Sequence, residues 1–286
     1  MISGAARLAG VMGWPIDHSR SPALHGFWLA EHGIDGAYVP LAVHPDHLDR
    51  ALRALPALGF RGCNLTIPHK EAALRSLDRV EPVAQRIGAV NTVTVAEDGT
   101  LEGRNSDVYG FRENLKESAP GWDPAAAPAV VLGAGGSARA VVAALLEDGA
   151  PEIRLVNRSR GRAEALARDL SPSLTRIAIV DWADAGKAFA EAGLLVNTTS
   201  LGMAGQPGLQ LDLAPLPTTA VVTDLVYVPL ETELLTIAGR RGNPVVDGLG
   251  MLLHQGRPGF EAWFGVEVRV SAPQRAAVLA TFATAR

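Results

Sequence analysis

The run from Ala129 to Ser159 constrains this chain more than any other stretch. Ala129-Val130-Val131-Leu132 is an apolar segment of strand type, and Gly133-Ala134-Gly135-Gly136-Ser137 follows it directly and opens an alanine-rich stretch of helical character. A strand feeding a glycine turn at a helix start lets backbone N–H groups close on a pyrophosphate, with the helix dipole favouring the negative charge. A second apolar run, Ile153-Arg154-Leu155-Val156, marks the next parallel strand, and Asn157-Arg158-Ser159 follows it, with Arg162 one turn on. Sites that prefer NAD usually carry an acidic residue there for the ribose hydroxyls. A guanidinium suits a phosphate instead, so the expected cofactor is NADP.

The rest of the chain bounds this reading. At 286 residues it is long enough for one large or two ordinary domains. The net charge of −4 and a pI of about 6.0 supply no basic field for nucleic acid. No apolar run is long enough for a bilayer, and no charged-then-apolar leader is present, so no membrane partner is expected. The single cysteine, Cys63, excludes an internal disulfide and suits a reducing, cytoplasmic setting. The histidines lack metal-ligand spacing, so no metal is expected. Only Lys70, Lys116 and Lys187 are lysine among many arginines, which makes each retained lysine informative.

Strand and helix patterns alternate through the first hundred residues: strands at Leu8–Met12, Tyr38–Val43 and Gly62–Ile67, and helices from Ser21 to Glu31, Pro45 to Leu55, and Pro68 through the Glu71–Leu77 region. Val90–Val95 and Leu101–Arg104 flank Asp98-Gly99, a hairpin signal. The Pro-, Ala- and Gly-rich stretch from Ser118 to Pro128 punctuates the pattern. After the glycine turn, strands are expected at Arg176–Val180, Leu194–Asn197, Val221–Asp224 and Pro244–Val246, then helices at Met251–Trp263 and Pro273–Ala283. The expected fold is α/β in two domains: a substrate lobe of residues 1–106 and 248–286, and a Rossmann-type NADP-binding lobe of residues 107–247, with a cleft between them.

Three segments of the first lobe carry candidate chemistry. Ser19-Arg20-Ser21-Pro22 opens a helix where free N–H groups favour an anion, so both hydroxyls are candidates to hold a substrate carboxylate while Ser21 caps the helix. Lys70 falls in the first turn of a helix just past a strand's C-terminal end, where ligands bind in open α/β sheets. The positive end of a helix disfavours an ammonium, which suits a lysine acting as general acid/base. Asp107, after Gly103-Arg104-Asn105-Ser106, supplies a carboxylate near the expected hinge; a turn role fits it equally well. Nothing pairs His18 or His69 with a carboxylate, so they are expected to line or cap the site.

Taken together, these segments resemble the shikimate dehydrogenase family over nearly the whole chain. The resemblance rests on His18-Ser19-Arg20-Ser21-Pro22, Asn64 to Lys70, Gly88-Ala89-Val90-Asn91-Thr92, Asn105-Ser106-Asp107, Gly133 to Ala140, Asn157-Arg158-Ser159, Asn197 to Met203, Asp224-Leu225-Val226-Tyr227 and Gly248 to Gln255, in that order. Ser106 stands where the family commonly has threonine, and Val108-Tyr109 follows Asp107 where a glycine is often found. The resemblance implies reversible reduction of 3-dehydroshikimate to shikimate with NADPH, in the route to chorismate and the aromatic amino acids. It implies that Ser19 and Ser21 hold the substrate carboxylate, that Thr66, Asn91, Asp107, Tyr227 and Gln255 contact ring hydroxyls, and that Lys70 is the acid/base paired with Asp107. It also implies that Gly133, Ala134, Gly135, Gly136 and Ser137 cradle the pyrophosphate. Asn157, Arg158, Ser159 and Arg162 would hold the 2′-phosphate end, and Leu225 and Gly248 would border the nicotinamide. Alternatives are a quinate/shikimate dehydrogenase preferring NAD, a non-catalytic metabolite-sensing relative, and a glutamyl-tRNA reductase with a similar cofactor domain. The last would need a nucleophilic cysteine, and Cys63 has no evident activating base. A monomer or homodimer is expected.

Overall fold

The computed structural model describes residues 2–170 and 176–282. The chain divides into two units, residues 1–106 with 252–286, and residues 107–251.

The first unit begins with β1 (Arg7–Gly13), α1 (Ser21–Glu31), β2 (Gly36–Ala42), α2 (Leu48–Ala54), β3 (Phe60–Leu65) and α3 (His69–Ala72). It continues with β4 (Arg79–Val80), α4 (Pro82–Ile87), β5 (Thr92–Val95) and β6 (Leu101–Arg104). Its sheet has the order β2-β1-β3-β5-β6-β4. β1 pairs in parallel with β2 and β3, while β3–β5 and β5–β6 are antiparallel. The sheet is therefore mixed, and the Asp98-Gly99 hairpin accounts for the antiparallel β5–β6 pair by turning the chain back on itself. Met12, Leu48, Leu52, Cys63, Leu65, Val90, Val93 and Leu101 form a core on one face.

The helix expected from Pro68 through Leu77 is only α3 plus a 3₁₀ turn at Ala73–Arg75. The stretch from Pro45 likewise begins as 3₁₀ before α2. Both are too short for the α-helical hydrogen-bond ladder to outweigh the nearby prolines and turns.

The second unit contains α5 (Asp107–Ser118), β7 (Ala129–Leu132), α6 (Gly136–Glu147), β8 (Glu152–Asn157), α7 (Arg160–Leu170), β9 (Arg176–Asp181), β10 (Leu194–Asn197), β11 (Val221–Asp224), α8 (Glu233–Arg240) and β12 (Val245–Val246). All strand pairs are parallel, in the order β12-β11-β10-β7-β8-β9. This is the doubly wound, Rossmann-type order, and it reverses between β7 and β10. Strands β7, β10 and β11 are buried along their whole length, as a sheet covered on both faces requires.

α9 (Gly248–Phe264) and α10 (Ala272–Ala280) end the described chain; the expected end of the last helix at Ala283 lies outside the described residues. The return to the first unit falls at Leu252, inside α9, rather than at 248. The first turn of α9 is tied to α5: Asn114 Nδ2 donates to the Asp247 carbonyl at 2.8 Å, and Asp247 Oδ1 accepts from Leu249 N at 3.0 Å. Further along, Trp263 donates its indole N–H to the Val93 carbonyl at 3.0 Å, which seats the helix on β5.

Candidate active site

In the first unit, Ser21 is the first residue of α1 and does not cap it. The N-cap is Arg20, whose angles (φ −99°, ψ −3°) are already near-helical and shift the boundary by one residue. Ser19 Oγ accepts from Ser21 N at 3.4 Å, so the capping contact belongs to Ser19. Ser21 is half-buried at the start of α1, and Tyr38 is buried on β2. Burial holds the Tyr38 phenol well above its usual range, so it remains an O–H.

Tyr38 donates to Asn64 Oδ1 at 2.7 Å. Asn64 Nδ2 in turn donates to the Asn91 carbonyl at 3.0 Å and to Thr92 Oγ1 at 3.2 Å. Asn91 Oδ1 accepts from Ser106 N at 2.8 Å, Ser106 Oγ at 3.2 Å and Thr92 Oγ1 at 3.0 Å. Its Nδ2 donates to Gln255 Oε1 on α9 at 3.4 Å. With Oδ1 receiving donors, the orientation of the Asn91 amide is fixed by the network. Backbone bonds complete the corner: Thr66 N to Met12 O at 3.0 Å, Leu65 N to Asn91 O at 2.8 Å and Val90 N to Lys70 O at 2.8 Å. Ser19, Ser21, Thr66, Lys70, Asn91 and Gln255 thus belong to one unit, and hydrogen bonds join Asn91 to Gln255 and to the chain segments that carry Thr66 and Lys70. Sequence reasoning missed Tyr38 within it and gave Thr92 no role beyond its place in the Gly88–Thr92 motif. Each reads locally as a strand residue, and their partners lie far away in sequence.

Lys70 occupies the second position of the four-residue α3 and is half-buried. So short a helix has little macrodipole, and the electrostatic part of the argument for this lysine loses most of its force. His69 is buried, with Nε2 2.9 Å from the Val43 carbonyl, and burial lowers its basicity. It ties α3 to the chain after β2, while His18 is exposed. Cys63 lies fully inside the core, and burial raises its thiol so that it stays protonated, which removes it as a nucleophile.

In the second unit, Asp107 is the first residue of α5, nearly fully buried and covalently next to Ser106. Tyr227 lies half-buried between β11 and α8. The glycine turn has the expected context, with β7 before and α6 after. Gly133 takes φ +110°, and a Cβ there would lie 2.5 Å from Thr198 Oγ1, so both backbone and packing demand glycine. Gly135, the N-cap of α6, differs: its φ is −98°, and a Cβ would meet no atom within 4 Å. Neither strain nor protein packing requires glycine at that position. Open space therefore lies beside Gly135 at the start of α6.

At the end of β8, Asn157 Nδ2 donates to the Ser159 carbonyl at 2.8 Å and shapes the turn. Arg160 is held by Glu164 and Asp181, both at 3.1 Å, and Arg139 by Asp169 at 2.5 Å. Arg158 and Arg162 are exposed and have no carboxylate partner among the described residues. Two unpaired guanidiniums, an open helix N-terminus and a glycine turn are a donor set that fits a dinucleotide with an extra phosphate. Leu225 N is fixed by Asn197 O at 2.9 Å, and Gly248 approaches so closely that a Cβ would lie 2.5 Å from the Leu225 carbonyl oxygen.

Among the described residues, no group of three or more His, Cys, Asp or Glu side chains is placed to hold a metal ion, and no helix is long and apolar enough to cross a membrane.

Comparisons with known proteins agree with this arrangement. Residues 11–93 match the family described as the shikimate dehydrogenase substrate binding domain, and residues 116–202 match shikimate / quinate 5-dehydrogenase. The chain is 63% identical to a shikimate dehydrogenase (NADP(+)) of Paramagnetospirillum magneticum over 97% of its own length and 100% of that protein's. Among solved structures, a shikimate dehydrogenase in complex with NADP+ superposes with a TM-score of 0.89 at 33% identity, over 99% of this chain and 98% of the other. The quinate dehydrogenase of Corynebacterium glutamicum in complex with NAD gives 0.88 at 34% identity, over 96% and 99%. Both units and nearly the whole length are covered, and the chain belongs to the shikimate dehydrogenase family.

Proposed function

We propose that this protein is an NADP-dependent shikimate dehydrogenase, which reversibly reduces 3-dehydroshikimate to shikimate. The observation that carries the reading is the framework around Asn91: it presents a fixed amide, Gln255, Thr66 and Lys70 from one unit, as recognition of a polyhydroxylated ring requires. Family membership and the name of the 63%-identical relative support the same substrate and cofactor.

In this reading the first unit is the substrate-binding domain and the second the cofactor domain. Ser19 and Ser21 hold the substrate carboxylate. Thr66, Asn91, Asp107, Tyr227 and Gln255 bond ring hydroxyls. Lys70 gives a proton to the C3 oxygen during reduction and takes it back during oxidation, with Asp107 orienting it. Gly133 to Ser137 receive the pyrophosphate, Asn157 to Arg162 the 2′-phosphate end, and Leu225 with Gly248 border the nicotinamide. When bound, the cofactor supplies the hydride exchanged at ring carbon C3. All else the protein contributes is binding, orientation and proton transfer.

The test is oxidation of NADPH by purified protein with 3-dehydroshikimate, with Lys70→Ala run beside it. Turnover is expected in the wild type, and a fall of roughly 10²–10⁴ in kcat with KM little changed in the variant. A wild type that binds both ligands without turnover would favour the metabolite-sensing alternative. The NAD complex of the quinate dehydrogenase neighbour makes NAD with quinate the second arm of the assay. Arg158 and Arg162 favour the first arm.

A further inference from the structure

Asp224 ends β11 as a carboxylate inside the protein, with no measurable exposure. Its Oδ1 accepts from Val226 N at 3.0 Å and from Asn197 Nδ2 at 2.9 Å, and its Oδ2 accepts from Thr232 Oγ1 at 2.7 Å. These donors come from three elements: the end of β10, the segment after β11 and the N-cap of α8. Each carries the arrangement further. Asn197 Oδ1 accepts from Thr199 N at 3.0 Å and Thr199 Oγ1 at 2.7 Å, and the Asn197 carbonyl receives Leu225 N at 2.9 Å. Thr232 Oγ1 accepts from Leu235 N at 3.3 Å. One carboxylate therefore fixes both sides of Leu225 and the backbone that leads to Tyr227.

Only an ionised carboxylate accepts all three donors without an O–H of its own to place. Among the described residues, no cation forms an ion pair with the buried carboxylate. Asn197 and Thr232 are neutral. Glu231 and Glu233, which flank Thr232, are exposed, and the Asp247 carboxylate before α9 accepts from Leu249 N and Gly250 N. β12 contributes Val246, next to Thr223 in the sheet. Burial is the largest influence on Asp224 and outweighs its hydrogen bonds, raising its pKa from the usual carboxylate range to about 6. None of the seven histidines lies in residues 107–251.

We propose that Asp224 is a positioning residue for the nicotinamide end of the cofactor site, and that cofactor affinity depends on its carboxylate being ionised. This rests on the reading of the second unit as the cofactor domain. Protonation puts a hydrogen on an oxygen that now only accepts, so one of the three bonds must break or reverse, and the Leu225–Tyr227 segment loosens.

The experiment measures dissociation constants by calorimetry, without substrate, for NADP+ and NAD+ at about pH 8 and about pH 5.5, in wild type and Asp224→Asn. NADP+ carries a 2′-phosphate that titrates in the same range. NAD+ lacks it, so an acid limb seen with NAD+ belongs to the protein. The wild type is expected to bind NAD+ about fourfold more weakly at the lower pH, the loss of ionised carboxylate for a pKa of about 6. Asp224→Asn is expected to bind more weakly at about pH 8 and to show no limb. Its melting temperature at about pH 8 should hold or rise. A carboxylate whose pKa is raised in the fold weakens stability above that pKa, and this penalty fades as pH falls toward the unfolded value; the amide never incurs it.

Wild-type binding of NAD+ that is equal at both pH values overturns the inference alone. So does an Asn variant that keeps the limb, or one that melts earlier with wild-type affinity, the mark of a purely structural role. Absence of binding of either cofactor at about pH 8 overturns the cofactor reading, and the inference with it. Should the variant not fold, the wild-type NAD+ comparison decides by itself.

Discussion

Arg158 and Arg160 stand two residues apart and have different surroundings. Arg160 is committed to Glu164 and Asp181, whereas Arg158 is exposed and has no carboxylate among the described residues. A guanidinium already neutralised by two carboxylates gains little from a phosphate; one without a partner gains a charge-assisted bond. Arg158→Ala is therefore expected to lower kcat/KM for NADP about tenfold, or about 1.4 kcal/mol, and to leave that for NAD within about twofold. The figure is kept modest because an exposed pair is screened, so the loss should also shrink as salt is raised. Equal losses with the two cofactors would falsify the assignment of this residue to the 2′-phosphate.

At the scale of elements, the glycine turn between β7 and α6 separates two demands that the sequence presents as one motif. Gly133 is required by its φ of +110° and by Thr198, so Gly133→Ala should cost about 1–3 kcal/mol of stability and lower the melting temperature. Gly135 is required by neither. Gly135→Ala should melt within about 0.5 kcal/mol of the wild type yet bind NADP markedly more weakly, because its new methyl group would occupy open space within the proposed pyrophosphate turn. Calorimetry and thermal denaturation on the pair separate these outcomes, and equal melting losses would mean that both glycines serve the fold.

This unit was legible because its signals are local: an apolar run, a glycine turn and a second apolar run within about thirty residues. Other elements were not. β4 has two residues, too few to show a period. α5 carries Val108, Phe111 and Leu115 at helical spacing, but its first residue reads equally as a turn aspartate, so the local pattern does not mark where the helix starts. The candidate residues of the first unit were found as separate motifs, whereas the contacts that fix them were not. Tyr38 meets Asn64, and Asn91 meets Gln255, across 26 and 164 residues respectively. Asp224 was likewise visible as a strand end, but its meeting with Asn197 and Thr232 exists only once β10 and β11 lie side by side.

For the whole molecule, the division into two units predicts that each ligand leaves its own footprint. Hydrogen exchange with NADP+ should slow amides around Gly135–Ser137 and Leu225 in the second unit. Exchange with shikimate should slow those around Ser19–Ser21, Thr66 and Asn91 in the first. Shikimate protecting only residues 107–251 would overturn the assignment of the substrate domain. The division also has a meaning for the newborn chain. The first unit is written in two pieces, with the whole second unit between them, and Trp263 binds β5 from 170 residues downstream. A ribosome that has delivered residues 107–251 has supplied all of the second unit but still holds back the helix that completes the first. The N-terminal lobe must therefore wait, with part of its apolar surface open, while the later-made domain is free to close ahead of it.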